Sequence, residues 1–227
     1  IALSTAEAET LRDAPGSILI AEAFMVRHHP QWQKARELAK KGKLGTLRAI
    51  QSLFSYNLTD PKNVRNMADI GGGGGYDIGC YPIVVARYVF DAEPLRVVAL
   101  VDRDPTFGTD RTTSAVIDFG EGRHLTFTVS TQATPYQRVN ILGTKGRLEV
   151  QIPFNAPQGG AMKLFLDDGK KLGDASAKTI KVDKADQYQL QGEAFSRAVR
   201  GMEKLAYGVE DAILQNRVID ALFRSEK

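Results

Sequence analysis

Residues 71–82 read GGGGGYDIGCYP, and the fold turns on how this run is taken. Backbone without Cβ atoms can approach a ligand closely, and the free amides of a helix start point toward whatever sits there. A floppy surface loop would use the same residues, and both readings stand at this level. The residues after the run are easier to place. Ile78 to Phe90 carries a helical apolar pattern, and Pro82 is tolerated only near a first turn, so the spacing predicts a helix starting at about Asp77. Asp77 is then an N-cap as well as a candidate site residue, with Tyr81 one turn further along the same face.

Upstream of the glycines, Ser4 and Glu7 have capping-box spacing, and a helix is expected from about Thr5 to Ala14, closed by Pro15-Gly16. Ser17 to Val26 (SILIAEAFMV) is apolar enough for a strand buried on both faces, as in parallel sheets. Gln31 to Lys41 places Trp32, Ala35, Leu38 and Ala39 at helical spacing before Gly42, and Leu47 to Tyr56 reads as a strand. Between Asn57 and Ile70 the chain is polar and irregular.

Downstream the period changes to two. Strands are expected at Leu95–Asp102, Thr112–Phe119, His124–Thr131, Arg138–Leu142, Arg147–Ile152 and Met162–Leu166, separated by turns such as Gly120-Glu121-Gly122 and Asp167-Asp168-Gly169. Short connections imply hairpins and a mainly antiparallel sheet. Two helices, Tyr188–Met202 and Val209–Phe223, close the chain. The class implied is α+β, a large mainly antiparallel sheet with helices on one face.

Composition narrows the function classes. The chain has 227 residues, 43% of them apolar and 25% charged, with a net charge of +3 that gives no basis for nucleic-acid binding. Its apolar runs fall far short of the roughly 20 residues a membrane span needs, so no membrane partner is expected. One cysteine excludes an internal disulfide and, with no leader-like segment, points to a cytoplasmic location. The adjacent His28 and His29 lack the HExxH or CxxC partners of a metal site, and none is expected. Cys80 has no histidine base near it in sequence and reads as a packed thiol, and His124 as a surface residue.

Neither glycine-rich phosphate motif is matched. No Lys-Ser or Lys-Thr follows the run, and no strand with a later acidic residue frames it as a dinucleotide fingerprint. Chemistry therefore falls to Asp77 and Tyr81. A phenol with an ordinary pKa of about 10 donates a proton well but needs a neighbouring cation to accept one, and a carboxylate one turn away can orient it or a substrate hydroxyl. An N-capping aspartate beside a half-buried tyrosine is the structural alternative.

The ordered set GGGGGYDIGCYPI, EAFMVRHHPQW, LAKKGKLGTLRAIQSLFSY, GTKGRLEV and EDAILQNRVIDALFRS resembles the glucose-fructose oxidoreductase, inositol dehydrogenase and rhizopine catabolism (Gfo/Idh/MocA) family of NAD(P)-dependent oxidoreductases. The resemblance runs nearly end to end. In that family a Rossmann domain precedes a Glu-Lys-Pro motif, and Ile1-Ala2-Leu3-Ser4 resembles the residues just after it. The resemblance thus implies that residues 1–26 are the last helix and strand of a dinucleotide-binding domain and residues 27–227 the substrate-binding and oligomerisation domain.

It further implies hydride transfer between NADP or NAD and a sugar, polyol or dihydrodiol, with Tyr81 as proton shuttle and Asp77 holding the reacting hydroxyl. Gly73, Gly74, Gly75, Arg27, His28, Asn63 and Arg65 are expected to line the substrate and cofactor site. The sheet is expected to form a homodimer or homotetramer. Without the Glu-Lys-Pro lysine and the fingerprint loop, this chain by itself is expected to be inactive and to hold no dinucleotide tightly. The alternative is a non-catalytic binding or oligomerisation module in which Asp77 and Tyr81 only cap and pack.

Overall fold

The structure, a computed structural model, describes residues 1–226. Five α-helices and eight strands are formed: α1 (Thr5–Thr10), α2 (Pro30–Lys40), β1 (Leu47–Asn57), α3 (Cys80–Phe90), β2 (Arg96–Arg103), β3 (Asp110–Asp118), β4 (His124–Ser130), β5 (Gln132–Gly143), β6 (Gly146–Val150), β7 (Met162–Asp167), β8 (Lys178–Val182), α4 (Gln187–Val199) and α5 (Val209–Arg224). The strands make one sheet in the order β2-β3-β4-β1-β5-β6-β7-β8. Every pairing is antiparallel except β1 with β4. The α+β class is as expected, and β8, a short lysine-bearing edge strand, is an addition.

Alternation along β1 sends Ile50, Ser52 and Phe54 to the covered face and Gln51 and Leu53 to the other. Phe127, Val129, Ile141, Val139 and Leu148 continue the covered face from neighbouring strands. Against it lies α3, whose Ile83, Val84, Val85, Ala86, Val89 and Phe90 are all buried, which explains a helix apolar nearly all round. Helix α2 ends as its sequence demands: Gly42 takes φ +66°, and the Lys43 amide reaches back to the Leu38 carbonyl at 3.0 Å.

Two expectations are corrected. Ser17–Val26 forms no strand: residues 17–24 lie outside any sheet ladder, Ile18 is 54% exposed, and Met25–His28 closes the segment as a single tight turn. A strand apolar on both faces needs a pairing strand on either side, and none of the eight strands pairs with it. Helix α1 is also shorter than expected, because Leu11–Asp13 tightens into a 3-10 turn. Its serine cap is as expected, with Ser4 Oγ accepting from the Glu7 amide at 3.1 Å, while the Glu7 carboxylate accepts from the Leu3 amide at 2.8 Å, one residue before the cap.

Candidate active site

The glycine run is a tight passage. Gly71 (φ +83°) and Gly73 (φ +113°) adopt backbone conformations that side chains resist. A Cβ on Gly72 would lie 2.6 Å from the Met67 carbonyl oxygen, and one on Gly73 would lie 2.0 Å from Asp110 Oδ1. On Gly75 it would meet the Phe223 ring at 2.6 Å. The space beside Gly73, Gly74 and Gly75 is therefore filled by Asp110, Thr131 and Phe223. Glycine is required there for packing within the chain, and the three residues do not border the cavities around Tyr81.

Helical structure starts earlier than the sequence suggests, and in a different form. Residues Gly75–Gly79 make one wide π-turn that feeds α3, with Gly74 before it and Asp77 at its middle. Pro82 has no N–H to give to the Ile78 carbonyl, so a regular turn would be broken there in any case. Asp77 is consequently not an N-cap. Its amide donates to the Gly73 carbonyl at 3.1 Å, and its side chain is engaged elsewhere.

Both Asp77 oxygens are held. Oδ2 accepts from the Tyr56 hydroxyl at 2.5 Å and Oδ1 from Arg65 Nε at 2.8 Å. Burial, and then the hydrogen bond to Asp77, push the Tyr56 phenol far above its ordinary value, so it remains a donor at any working pH. Sequence reasoning missed Tyr56. The alternation of β1 puts it on the same face as Phe54 and Ile50, at the strand end, and that is the signal that could have found it.

Tyr81 is arranged differently. Its ring sits among Phe24, Phe54 and Phe154, with centroids at 5.9, 6.2 and 5.5 Å. Among the described residues its hydroxyl meets only the Met25 sulfur, at 3.7 Å. Burial raises its pKa strongly, and the nearby Asp77 adds to the effect while Arg65 opposes it. The phenol is thus a protonated donor without a committed acceptor. Asp77 and Tyr81 stand where two cavities meet. One, of about 720 Å³, lies toward residues 1–3 and Ala21–Phe24; the other, of about 520 Å³, is lined by Tyr56, Asn63, Arg65, Asn155 and Tyr188.

Asn63 and Arg65 are therefore brought to the pair, whereas Arg27 and His28 are not. They border a third cavity of about 450 Å³ against α4, which shares Ala21–Phe24 with the larger one but includes neither Asp77 nor Tyr81. Arg27 is 5% exposed, pairs with Asp211 at 2.5 Å and stacks on Tyr207 at 4.0 Å, a structural tie between the 25–28 turn and α5. His29 is fully buried and caps α2, its Nδ1 accepting from the Gln31 amide at 3.1 Å. Cys80 packs as expected: it is buried, its thiol rests 3.7 Å from the Asp77 carbonyl, and burial pushes its pKa far up. His124 lies at the surface, its side chain 54% exposed.

A sequence profile described as the GFO/IDH/MocA C-terminal domain matches residues 32–149. The chain belongs to this family. The GFO/IDH/MocA relationship extends over most of its length: it is 45% identical over 206 residues to an uncharacterized oxidoreductase of Rhizobium meliloti, covering 91% of this chain and 62% of that protein. It is 33% identical over 212 residues to an NADP(+)-dependent D-xylose 1-dehydrogenase of Haloferax volcanii, covering 92% and 62%. The chain thus spans less than two thirds of these relatives. A crystal structure of a 3-ketoreductase from Actinomadura kijaniata, in complex with NADP and TDP-benzene, superposes with a TM-score of 0.90 at 24% identity, covering 99% of this chain and 68% of the other. At that identity the likeness speaks for the fold of this family member. No helix among the described residues is long and apolar enough to cross a membrane.

Proposed function

We propose that this chain is the substrate-binding part, with a short preceding segment (residues 1–26), of an NAD(P)-dependent oxidoreductase acting on a sugar, polyol or dihydrodiol. One observation carries the reading: a protonated, uncommitted phenol stands beside a carboxylate clamped by Tyr56 and Arg65, at the junction of two cavities. The oxidoreductase names of the family's members, among them the NADP(+)-dependent xylose dehydrogenase, agree with it.

The residues present suit the nicotinamide end of the cofactor. Glu22 borders the larger cavity; its Oε1 accepts from the Ile1 nitrogen at 2.5 Å, and Oε2, buried without a hydrogen-bond partner, is the oxygen left to accept from a carboxamide N–H. Glu22, Phe24 and Tyr81 would border the ring, and the glycine run, closed by Asp110 and Phe223, offers no cradle for the phosphates. Bound nicotinamide supplies or takes up the hydride. In the reductive direction Tyr81 gives its hydroxyl proton to the substrate oxygen. Asp77 accepts a hydrogen bond from the neighbouring substrate hydroxyl, and Asn63, Arg65 and Asn155 orient the remaining ones. Phe24, Phe54 and Phe154 exclude water from the phenol. In the oxidative direction Tyr81 must first lose its proton. Burial opposes that, so a cation from outside this chain has to stand near it.

Self-association fits the open side of the sheet. Val98, Leu100 and Val116 are 58, 73 and 50% exposed there, beside Leu53 and Tyr136, and no helix among the described residues covers them. Two such faces packed together form the oligomer. Leu100→Glu in the intact protein is expected to shift sedimentation to a smaller species, and an unchanged oligomer would refute sheet-to-sheet pairing.

The catalytic reading is tested in the intact enzyme. Aldoses and polyols are screened with NAD and NADP, and Tyr81→Phe is then compared with wild type on the best pair. A fall in kcat of about 10² or more is expected, and an equal rate removes Tyr81 from the mechanism.

A further inference from the structure

Asp110 opens β3 opposite Arg103 of β2 and is 1% exposed. Its Oδ2 accepts from the Gly75 amide at 2.6 Å and from the Thr113 hydroxyl at 2.7 Å. The three glycines 73–75 are shaped to this group: a Cβ on them would lie 2.0 Å from Oδ1, 3.4 Å from Oδ2 and 3.3 Å from Oδ2 in turn. From Gly73 the bonding continues. Its amide donates to the Arg65 carbonyl at 2.8 Å, and its carbonyl accepts from the Asp77 amide at 3.1 Å. One buried carboxylate therefore sits under the turn that presents Asp77 and Tyr81 and beside the backbone that presents Arg65. A negative group is also favoured at the amino end of a helical segment, where free amides gather.

We infer that Asp110 is a positioning residue, the group that sets the backbone of Gly75–Tyr81 and with it the placement of Asp77 and Tyr81. Asp110 borders neither cavity at Tyr81 and acts only through the glycines. The kinetic consequence rests on the proposed proton transfer by Tyr81; the positioning itself does not.

Two measurements test it in the intact enzyme. Asp110→Ala should lower kcat about tenfold or more per folded molecule, leaving KM for the dinucleotide unchanged, since a small misplacement of reacting groups has effects of that order. Asp110→Asn retains an oxygen that can accept from Gly75 and should restore kcat to within about threefold of wild type. Thr113→Val, which removes one of the two hydrogen bonds holding the carboxylate without altering the 71–79 backbone, should reproduce part of the loss and carries the test if Asp110→Ala does not fold. Hydrogen exchange of the same variants gives a readout independent of activity: amides 75–81 should exchange faster while β4 and β5 stay protected. Unchanged exchange at 75–81 would overturn the inference. So would faster exchange with full kcat in an enzyme that Tyr81→Phe slows. If Tyr81→Phe itself runs at the wild-type rate, the proton-transfer reading fails, and faster exchange at 75–81 still supports Asp110 as the positioning group.

Discussion

At the Asp77 end of the turn both carboxylate oxygens are engaged, by Tyr56 and Arg65, whereas at the Tyr81 end the hydroxyl meets only the Met25 sulfur. The two groups are four residues apart and border the same cavities, so the contrast is not one of location. It lies in what surrounds them. Asp77 faces a strand end and a polar loop that supply donors, and Tyr81 faces three aromatic rings that supply none. A group with its hydrogen bonds satisfied is suited to hold a position. A part-buried donor whose one acceptor is a thioether sulfur is suited to meet a substrate oxygen, because that contact replaces a weak hydrogen bond with a strong one.

Removing single oxygens separates the two ends. Tyr81→Phe deletes a hydroxyl that contributes little to the fold, so its unfolding free energy should stay within about 0.5 kcal/mol of wild type while kcat falls about 10². A large stability loss with unchanged turnover would reverse the assignment. Tyr56→Phe should act the other way. It takes a donor from a half-buried carboxylate and should cost about 1–2 kcal/mol in urea unfolding, with a smaller loss of rate than at Tyr81. Equal kinetic effects at the two positions would mean that the held and free groups share one role.

The smallest expected effect concerns the support beneath the turn. Burial raises the Asp110 pKa above the ordinary carboxylate range, the Thr113 and Gly75 bonds and Arg103 only partly opposing it. A carboxyl raised by folding adds stability that is complete below its unfolded value of about 3.9 and is lost as pH climbs through the folded value. Asp110→Asn has no such charge to bury. Its melting temperature should therefore gain on wild type as pH rises above about 4. A gap that narrows over that range would mean that the ionised carboxylate is favoured in its site.

Much of the fold was legible because it depends on local period. The strands from Leu47 to Leu166 alternate apolar and polar residues and are broken by glycine turns, and each appears within a few residues of its expected place except β5, which starts six residues before the expected Arg138. Asp77 and Tyr81 were legible as a pair through their spacing. Tyr56 was legible only as a position on the covered face of β1, and Phe154 and Asn155 were not legible at all, since they reach the site from the 151–161 loop by a path no local pattern encodes. The segment Ser17–Val26 misled for a related reason: its apolar run is strand-like, but a strand exists only through partners, and the sheet offers it none.

By itself, the order of residues determined the α+β class, the antiparallel sheet with its single helical layer, and a carboxylate and phenol one turn apart. Those features arise from periodicity, turn chemistry and the steric freedom of glycine, which act over a few residues. Only the tertiary structure decided what the five glycines are for. They admit the Asp110 carboxylate, the Met67 carbonyl and the Phe223 ring, contributed by parts of the chain up to about 150 residues away. It also decided that Asp77 is held and Tyr81 free, since hydrogen-bond satisfaction depends on which distant donors the sheet brings within about 3 Å.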